Sequence, residues 1–468
     1  MTIHFVGICG TAMGNVALMM RSMGHTVTGS DENVYPPMSD LLRDAGVKIM
    51  SPFSPDNLNP PPDLVIIGNR MSRGNDEVEE VLNRRLRYTS LPELLKQEAI
   101  QGRTSVVLTG THGKTTTSSM TAWVLEKAGR SPSFLIGGVP GNFDAGWAWR
   151  HDSTLIVLEG DEYDTAFFDK RSKFVHYLPS LLVVNNIEFD HADIFSSLDD
   201  ILLSFRRLVN IVPSNGLIVA NGDDPNVLHV TSSPFTPVQR FGFGEHNAWR
   251  ATEVEYGAEE TRFTIMREGK RHMRMAIPLL GEFNVRNALG VTVAATWLGL
   301  PPQEIAEGLA TFRNAKRRLE LKLEFNGVRI YDDFAHHPTA IRETLRAIRH
   351  RHPANRLWAI FEPRSNTTRR NVFQKELADA LGTADLALLA QIDRPEELPT
   401  SERLDPQRLV DDLRERSVDA LFLPDASAIA ERLMANIQPD DVVVVMSNGA
   451  FGGLHTMLAQ HAGVGSKG

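Results

Sequence analysis

The segment Gly110-Thr-His-Gly-Lys-Thr115 has the composition of a phosphate-binding loop. Backbone N–H groups of such a glycine-rich loop point at phosphate oxygens, and the N-terminus of the helix that follows adds a positive partial charge. Lys114 can reach the β- and γ-phosphates of a nucleotide, and the hydroxyl of Thr115 can ligate Mg²⁺. The loop is shorter than the common GxxxxGK[ST] pattern, since Leu108 stands where that pattern has its first glycine. We predict that the nucleotide is bound by Gly110, Thr111, His112, Gly113, Lys114, Thr115 and Thr116.

Two acidic turns follow strand-like runs later in the same region. They are Glu159-Gly-Asp-Glu-Tyr-Asp164 and Asn185-Asn-Ile-Glu-Phe-Asp-His191. Because the carboxyl ends of parallel strands meet at one edge of a sheet, both turns are expected to face the phosphate loop. A hard cation that bridges ATP phosphates would use a carboxylate such as Glu159, with His191 orienting or ligating beside it. The turns and the loop together predict an Mg-ATP site whose metal ligands are Thr115, Glu159 and His191.

A second glycine turn, Gly7-Ile-Cys-Gly-Thr-Ala-Met-Gly14, lies between a strand pattern and an apolar helix pattern near the N-terminus. From the residues alone it could bind a dinucleotide, with Asp31 at the end of the second strand touching a ribose. Cys9 breaks the strict GxGxxG pattern, so the signal is weak. A nicotinamide-dependent oxidoreductase is therefore one alternative function, and a nucleotide-dependent switch protein is another.

The elements that must position these residues alternate between strand and helix patterns. In the last third of the chain, strands are predicted at 328–333, 356–361, 384–390, 419–423 and 441–446, with helices between them. Such alternation is typical of a mostly parallel sheet covered on both faces. Residues 237–278 instead predict an antiparallel patch. We predict an α/β fold of three domains, namely a Rossmann-like N-terminal domain at 1–103, a P-loop ATPase-like central domain with a parallel sheet at 104–314 and a Rossmann-like C-terminal domain at 315–468.

The composition excludes several classes of protein. The 468 residues are 42% hydrophobic and 23% charged, which is ordinary for a globular chain. The net charge of −9 argues against binding nucleic acid or an anionic membrane through charge. Cys9 is the only cysteine, so an internal disulfide is impossible. With no signal-peptide pattern and no apolar run near the roughly 18 residues of a membrane span, a cytoplasmic enzyme is expected. The oligomeric state stays open.

Taken in order, these segments resemble the Mur ligases, a family of three-domain, ATP-dependent enzymes that form amide bonds in peptidoglycan synthesis. Gly281-Glu-Phe-Asn-Val-Arg-Asn287 is similar to the adenine-side motif of the family, although Phe283 stands where a histidine is usual. Arg317-Arg318 and Asp332-Asp-Phe-Ala-His-His-Pro338 resemble the C-terminal elements that close over ATP.

The resemblance implies roles for particular residues. In the first domain, it implies that the diphosphate and uridine of a UDP-sugar are bound by Gly7, Gly10, Thr11, Asp31 and Asn69. Further ATP contacts are implied for Asn284, Asn287, Arg318 and Asp333. The implied catalytic residues are Lys114, His191, Arg318 and His336. ATP would convert a carboxylate into an acyl phosphate, which an amine then attacks; the base that deprotonates the amine is left open among His191, His336 and Asp333.

The resemblance also bears on the substrates. The segments 167–177, 362–367 and 446–453 are similar to those of members that join UDP-N-acetylmuramate to the murein tripeptide L-alanyl-γ-D-glutamyl-meso-diaminopimelate in cell-wall recycling. The glycine turn at 7–10 and the His-His-Pro element instead resemble members that add L-alanine alone, which is the close alternative. Arginine can hold a carboxylate through two hydrogen bonds, so the peptide is predicted to contact Arg364, Ser365, Asn366 and Thr367.

Overall fold

Buried apolar strands alternate with helices to build three large sheets in the computed structural model, which describes residues 1–463. The last five residues of the predicted C-terminal domain, 464–468, lie outside the described part. Among residues 1–463, no helix combines the length and the apolar character needed to cross a membrane.

The first sheet has five parallel strands in the order β3-β2-β1-β4-β5. Its strands are β1 Thr2–Val6, β2 Thr26–Ser30, β3 Lys48–Met50, β4 Leu64–Ile67 and β5 Tyr88–Ser90. Its helices are α1 Thr11–Ser22, α2 Met38–Asp44, α3 Asp76–Asn83 and α4 Leu91–Leu95. The strand order reverses between β1 and β4, and a ligand crevice opens at such a reversal. The glycine turn after β1 lies there.

The second sheet has ten strands in the order β17-β16-β15-β14-β13-β12-β6-β9-β7-β8. Its strands are β6 Thr104–Thr109, β7 Ser133–Leu135, β8 Trp147–Ala148, β9 Leu155–Gly160, β12 Leu181–Val184, β13 Leu217–Asn221, β14 Val238–Gly242, β15 Trp249–Tyr256, β16 Thr261–Arg267 and β17 Lys270–Ile277. Two more strands, β10 Asp164–Ala166 and β11 Asp169–Ser172, form a separate hairpin. The helices of this region are α5 Lys114–Lys127, α6 Leu198–Asn210, α7 Pro225–Val230, α8 Glu282–Trp297 and α9 Pro302–Ala310. The central strands are buried on both faces, as β12 shows with its four fully covered residues.

The third sheet has six strands in the order β18-β19-β23-β20-β21-β22. Its strands are β18 Glu320–Phe325, β19 Val328–Asp333, β20 Leu357–Phe361, β21 Leu386–Ala390, β22 Asp419–Leu423 and β23 Val442–Met446. Its helices are α10 Pro338–Arg351, α11 Gln374–Leu381, α12 Pro406–Glu415, α13 Ala426–Asn436 and α14 Leu454–Ala462. Proline opens α10 and α12, where its missing N–H removes no helical hydrogen bond.

The predicted α/β class with parallel sheets is confirmed, and the predicted strands at 328–333 and 419–423 agree with β19 and β22 residue for residue. The predicted antiparallel patch is correct for β15, β16 and β17. It is wrong for β14, which pairs in parallel with both of its neighbours because it continues the buried parallel core. The strand β18, the β10–β11 hairpin and the helix α14 are not among the elements predicted from the sequence.

Candidate active site

The phosphate-loop segment leaves β6 and enters α5 through two glycines in the left-handed region. Gly110 has φ +139° and Gly113 has φ +80°. A Cβ added to Gly113 would lie 2.8 Å from Asn287 Oδ1. Asn186, in the turn after β12, holds the loop through two hydrogen bonds. Its carbonyl accepts the Thr111 N–H (3.0 Å), and its side-chain oxygen accepts the His112 N–H (2.7 Å). These two hydrogen bonds fix the backbone conformation of the phosphate loop.

Lys114 lies at the first position of α5 with its ammonium drawn back into the protein. Its Nζ donates to the Gly110 carbonyl (2.8 Å), to the Thr111 carbonyl (3.2 Å) and to Glu162 Oε1 (2.9 Å). Burial on its own would lower the pKa of Lys114, but the carboxylates of Glu162 and Asp161 outweigh burial and raise it. The lysine is therefore a cation, held where the phosphates of a nucleotide would approach the loop.

Thr115 and Glu159 bring two oxygen ligands together at the same edge. Thr115 Oγ1 donates to Glu159 Oε1 at 2.8 Å, and the Gly137 N–H donates to the second carboxylate oxygen at 2.7 Å. Burial raises the pKa of Glu159 despite these two hydrogen bonds. A half-buried carboxylate beside a hydroxyl is a donor set that suits a hard divalent cation such as Mg²⁺.

His191 lies in the turn after β12 and contacts Glu162. Its Nε2 is 3.1 Å from Glu162 Oε1, and its ring lies against Tyr163 with the centroids 4.2 Å apart. Burial alone would lower the pKa of His191, but Glu162 outweighs burial and raises it. Glu162 therefore links the lysine to the histidine. Glu162 lies in the first acidic turn but is not among the site residues predicted from the sequence.

Asn284 and Asn287 lie in the first turns of α8, beside the phosphate loop. Asn284 Nδ2 donates to the Leu280 carbonyl (2.8 Å), and its Oδ1 accepts from Asn287 Nδ2 (3.3 Å). Asn287 Oδ1 is 3.5 Å from Asn185 Nδ2. Both predicted asparagines thus lie close to the loop, within a buried row of amides. Thr116, the last predicted loop residue, donates to Asn314 Oδ1 at 3.2 Å.

Arg318 reaches the phosphate loop from the segment before β18. Its Nη2 is 3.4 Å from Thr115 Oγ1, and its guanidinium lies over the Phe334 ring at 5.1 Å. Asp333 accepts the backbone N–H groups of Leu319 (2.7 Å) and Ala335 (2.8 Å), and burial raises its pKa. The carboxylate of Asp333 therefore fixes the chain on both sides of Arg318.

Asp190 is a second meeting point between the central and C-terminal regions. Thr367 Oγ1 donates to Asp190 Oδ1 at 2.7 Å, and His336 Nε2 is 3.9 Å from Asp190 Oδ2. Burial alone would raise the pKa of Asp190, but the histidines around it, His191 first, lower it well below its ordinary range. Burial lowers the pKa of His336. Thr367, predicted to contact the peptide, here joins the two regions.

The rest of the predicted peptide loop follows β20. Arg364 packs against Gly449 and keeps 37% of its side chain exposed, with Glu362 and Asp393 at 3.8 and 3.9 Å. Ser365 and Asn366 bond within their own loop, to Thr368 (2.7 Å) and Arg369 (2.8 Å) respectively. Among the four predicted contacts, Arg364 and Asn366 are partly exposed, whereas Ser365 and Thr367 are buried.

The N-terminal glycine turn is shaped by Asp31. Its carboxylate accepts the N–H groups of Cys9 (2.9 Å) and Asn33 (2.9 Å). Gly7 has φ +86°, while Gly10 and Thr11 are exposed at the start of α1, and Asn69 is half-buried just after β4. These predicted substrate residues thus surround the strand-order reversal of the first sheet. Burial raises the pKa of the Cys9 thiol to about 11, as expected for a packing residue.

Comparison with known proteins adds family matches along the chain. Residues 2–103 match the model described as Mur ligase family, catalytic domain, residues 108–295 match the Mur ligase middle domain, and residues 317–449 match the Mur ligase, glutamate ligase domain. The UDP-N-acetylmuramate–L-alanyl-γ-D-glutamyl-meso-2,6-diaminoheptandioate ligase of Escherichia coli (strain K12) is 44% identical over 98% of this chain and 97% of its own. The UDP-N-acetylmuramate–L-alanine ligase of Acetivibrio thermocellus is 32% identical over 96% of this chain and 93% of its own. A crystal structure of a murein peptide ligase from Psychrobacter arcticus 273-4 superposes with TM-score 0.73 at 37% identity, covering 99% of both chains.

Proposed function

The chain belongs to the Mur ligase family and is an ATP-dependent ligase, and from this premise we propose that it joins the carboxylate of UDP-N-acetylmuramate to the amine of L-alanyl-γ-D-glutamyl-meso-diaminopimelate. The observation that carries the choice of peptide is the near-full-length similarity to a tripeptide ligase, at 44% identity against 32% for a ligase that adds L-alanine. The phosphate loop with its two acidic turns leaves the nicotinamide-oxidoreductase alternative without support.

The reaction activates a carboxylate that is a poor electrophile by itself. The γ-phosphoryl group of ATP passes to the lactyl carboxylate and ADP is released, so that an acyl phosphate forms. The peptide amine attacks the acyl carbon, a tetrahedral intermediate forms, and phosphate leaves as the amide bond is made. Negative charge develops on the transferring phosphoryl group, and preorganised cations stabilise it.

Lys114 and Arg318 are the cations that we assign to this stabilisation. Lys114 Nζ donates to Glu162 at 2.9 Å and also to the carbonyls of Gly110 and Thr111 in the phosphate loop. A short movement of the side chain would bring its ammonium from Glu162 to a phosphate. Arg318 lies 3.4 Å from Thr115 and belongs to the C-terminal region, so it completes the site only when that region is docked.

Mg²⁺ fits the oxygen donors Thr115 Oγ1 and Glu159 Oε1, which lie 2.8 Å apart, and burial keeps the pKa of this carboxyl raised although Lys114 lies nearby. When bound, the ion would neutralise charge on the ATP phosphates. His191 contacts Glu162 in this structure, so its proposed metal role requires an outer position or a rotation of its ring.

The three regions divide the substrates in this proposal. Residues 1–103 bind the UDP-sugar at the β1–β4 crevice, 104–314 bind ATP, and 315–468 bind the peptide and close over ATP. Both nucleotide substrates are cytoplasmic small molecules, so we assign the enzyme to the cytoplasm, without a nucleic-acid or membrane partner. His336, half-buried at the junction with Nε2 3.9 Å from Asp190 Oδ2, is the proposed group for orienting the attacking amine.

A substrate screen tests the proposal directly. UDP-N-acetylmuramate and Mg-ATP are held fixed, the amine is varied from L-alanine to the tripeptide, and ADP release is measured. We expect ADP release to require both the carboxylate and the amine, with kcat/KM at least about tenfold higher for the tripeptide; one tenfold step corresponds to about 1.4 kcal/mol. A preference for L-alanine would contradict the choice of peptide, whereas ADP release without either substrate would contradict ligation.

The peptide loop is tested by Arg364→Lys. Lysine cannot reproduce a two-pronged hydrogen bond to a carboxylate, so the KM for tripeptide should rise far more than the KM for ATP or UDP-N-acetylmuramate. Arg416→Lys is the matched control, since Arg416 pairs with Asp379 at 2.7 Å outside this loop. An unchanged tripeptide KM for Arg364→Lys would remove Arg364 from the peptide site.

A further inference from the structure

Three side chains of metal-ligating type meet where the phosphate loop touches the start of α10. Glu188 Oε2 lies 3.3 Å from His112 Nε2 and 3.4 Å from His337 Nδ1. The three ligand atoms all lie within 4.8 Å of one another. In a tetrahedral zinc site with bonds of 2.0–2.1 Å, neighbouring ligand atoms are about 3.3–3.4 Å apart. Two of the three separations therefore already have the spacing of such a site.

His337 presents the correct nitrogen to this cluster. Its Nε2 is 3.2 Å from the Phe189 carbonyl, which can only accept, so Nε2 carries the proton. Nδ1 then carries the lone pair of the ring, which accepts the Thr339 N–H at 3.3 Å as the N-cap of α10 and lies 3.4 Å from Glu188 Oε2. A cation bound at Nδ1 would replace this capping hydrogen bond. Burial and the neighbouring His112 lower the pKa of His337 to about 3, so the ring is neutral at physiological pH. A backbone carbonyl that fixes the far nitrogen is the usual support of a metal-bound histidine.

Glu188 supplies the negative charge. Burial on its own would raise its pKa, but the His112 hydrogen bond and the nearby His337 lower it to about 2. Its Oε2 also accepts from Thr339 Oγ1 at 2.8 Å. At neutral pH the cluster therefore consists of one carboxylate and two imidazoles, in a pocket where one imidazole is already neutral.

We propose that His112, Glu188 and His337 form a binding site for a divalent cation of the zinc class. Imidazole nitrogen suits Zn²⁺, whereas Mg²⁺ prefers six oxygen ligands, so this site differs in chemistry from the oxygen pair Thr115 and Glu159. Three protein ligands leave a fourth position for water. The proposal uses no step of the ligase reaction and stands apart from the assignment of the peptide.

Binding at this site would connect two regions of the chain. His112 belongs to the phosphate loop, and His337 is the N-cap of α10 in the C-terminal region. A cation held by both residues would fix the loop to the docked C-terminal region. We therefore expect Zn²⁺ to inhibit turnover when Mg²⁺ is in excess, because the loop and the C-terminal region could no longer separate to exchange ADP for ATP.

The test measures Zn²⁺ alone, without nucleotide, by competition with a chromogenic chelator. A Cys9→Ser background removes the free thiol as an alternative ligand. We expect one Zn²⁺ per chain, and a loss of affinity of at least about tenfold in both Glu188→Gln and His337→Asn. Asparagine can still accept a hydrogen bond as an N-cap, so His337→Asn is expected to keep α10 folded.

Two controls decide the site. His336→Asn changes the neighbouring histidine and should leave Zn²⁺ affinity unchanged, while His191→Asn should also leave it unchanged, since His191 faces Glu162. The melting temperature gives a second readout, because Zn²⁺ should raise it in the background protein and not in Glu188→Gln or His337→Asn. Wild-type affinity in these two folded variants, or loss of binding in His191→Asn alone, would overturn the proposal.

Discussion

Replacing Thr367 by valine tests how the C-terminal region is held on the nucleotide site. The Thr367 hydroxyl donates to Asp190 Oδ1 at 2.7 Å and accepts the Ala192 N–H at 3.4 Å. Thr367 and Asp190 are 1% and 3% exposed, so water cannot replace the lost hydroxyl without a rearrangement. Valine keeps the shape of the side chain and removes only the donor and acceptor.

The structure sets the size of the effect. A hydrogen bond to a charged group contributes about 1.5–3 kcal/mol. Asp190 Oδ1 keeps one close donor, the His191 N–H at 2.7 Å, so the carboxylate is not left wholly unpaired. Loss of this contact therefore lowers the equilibrium constant for docking of the C-terminal region by a factor of about 10–150. Since Arg318 reaches the phosphate loop only from that region, kcat/KM for ATP should fall by up to that factor.

The assay is ADP release with ATP and tripeptide varied separately. We expect Thr367→Val to lower kcat/KM for ATP at saturating tripeptide, and Thr367→Ser, which keeps the hydroxyl, to restore most of the loss. Ser365→Ala is the control from the same loop, because among residues 1–463 the Ser365 hydroxyl bonds to Thr368 alone, to its hydroxyl at 2.7 Å and to its N–H at 3.1 Å. A rise in the tripeptide KM alone, with ATP kinetics unchanged, would show that Thr367 acts in peptide binding and would refute its role in docking the C-terminal region.

Three further predictions concern the loop and the junction. Lys114→Ala should lower turnover by about 10²–10³-fold or more, because a preorganised cation at the phosphoryl group is lost; near-wild-type ADP release by the folded variant would exclude that role. Gly113→Ala should raise the KM for ATP, since φ is +80° and the new Cβ would lie 2.8 Å from Asn287 Oδ1, whereas Gly129→Ala, at φ +71° with open space around it, should affect only the melting temperature. In the unfolded chain His337 takes up a proton below about pH 6.5, whereas in the folded protein it does so only near pH 3. The free energy of unfolding should therefore decrease as the pH falls from 6.5 to 3, by up to about 1.4 kcal/mol per pH unit, and should show no such slope above pH 6.5. His337→Asn should flatten a plot of melting temperature against pH between 6.5 and 3, and an unchanged slope would contradict the buried, neutral imidazole.

The parts of the fold that sequence reasoning located are those with local signals. A glycine or acidic turn marks the carboxyl end of the buried strand before it. The sequence therefore assigns three segments to one edge of a sheet, namely the loop at 110–115 and the turns at 159–164 and 185–191. Contacts between Thr115 and Glu159 agree with that assignment. The elements that were missed lack such signals: β18 is a half-exposed edge strand, and the β10–β11 hairpin is short and polar.

The contacts of individual side chains could not be predicted from the sequence for a different reason. The turn at 159–164 offers four acidic residues, and only the three-dimensional fold decides that Glu162 binds both Lys114 and His191. Asp190 and Thr367 are 177 positions apart, and no periodic pattern connects them. The sequence predicts an ATP contact for Asp333 but does not indicate that its carboxylate also accepts backbone N–H groups on both sides of Arg318, a contact that depends on how β19 pairs with β18.

The turn at 185–191 explains why nucleotide binding and docking of the C-terminal region should depend on each other. On one side, Asn186 holds the backbone of the phosphate loop through two hydrogen bonds. On the other, Glu188 and Asp190 accept hydrogen bonds from Thr339 and Thr367 of the C-terminal region. A shift of the loop on ATP binding would therefore move the same short turn that holds the C-terminal region. Such coupling suits a reaction with an acyl phosphate, because water that entered before the amine was in place would hydrolyse the activated carboxylate.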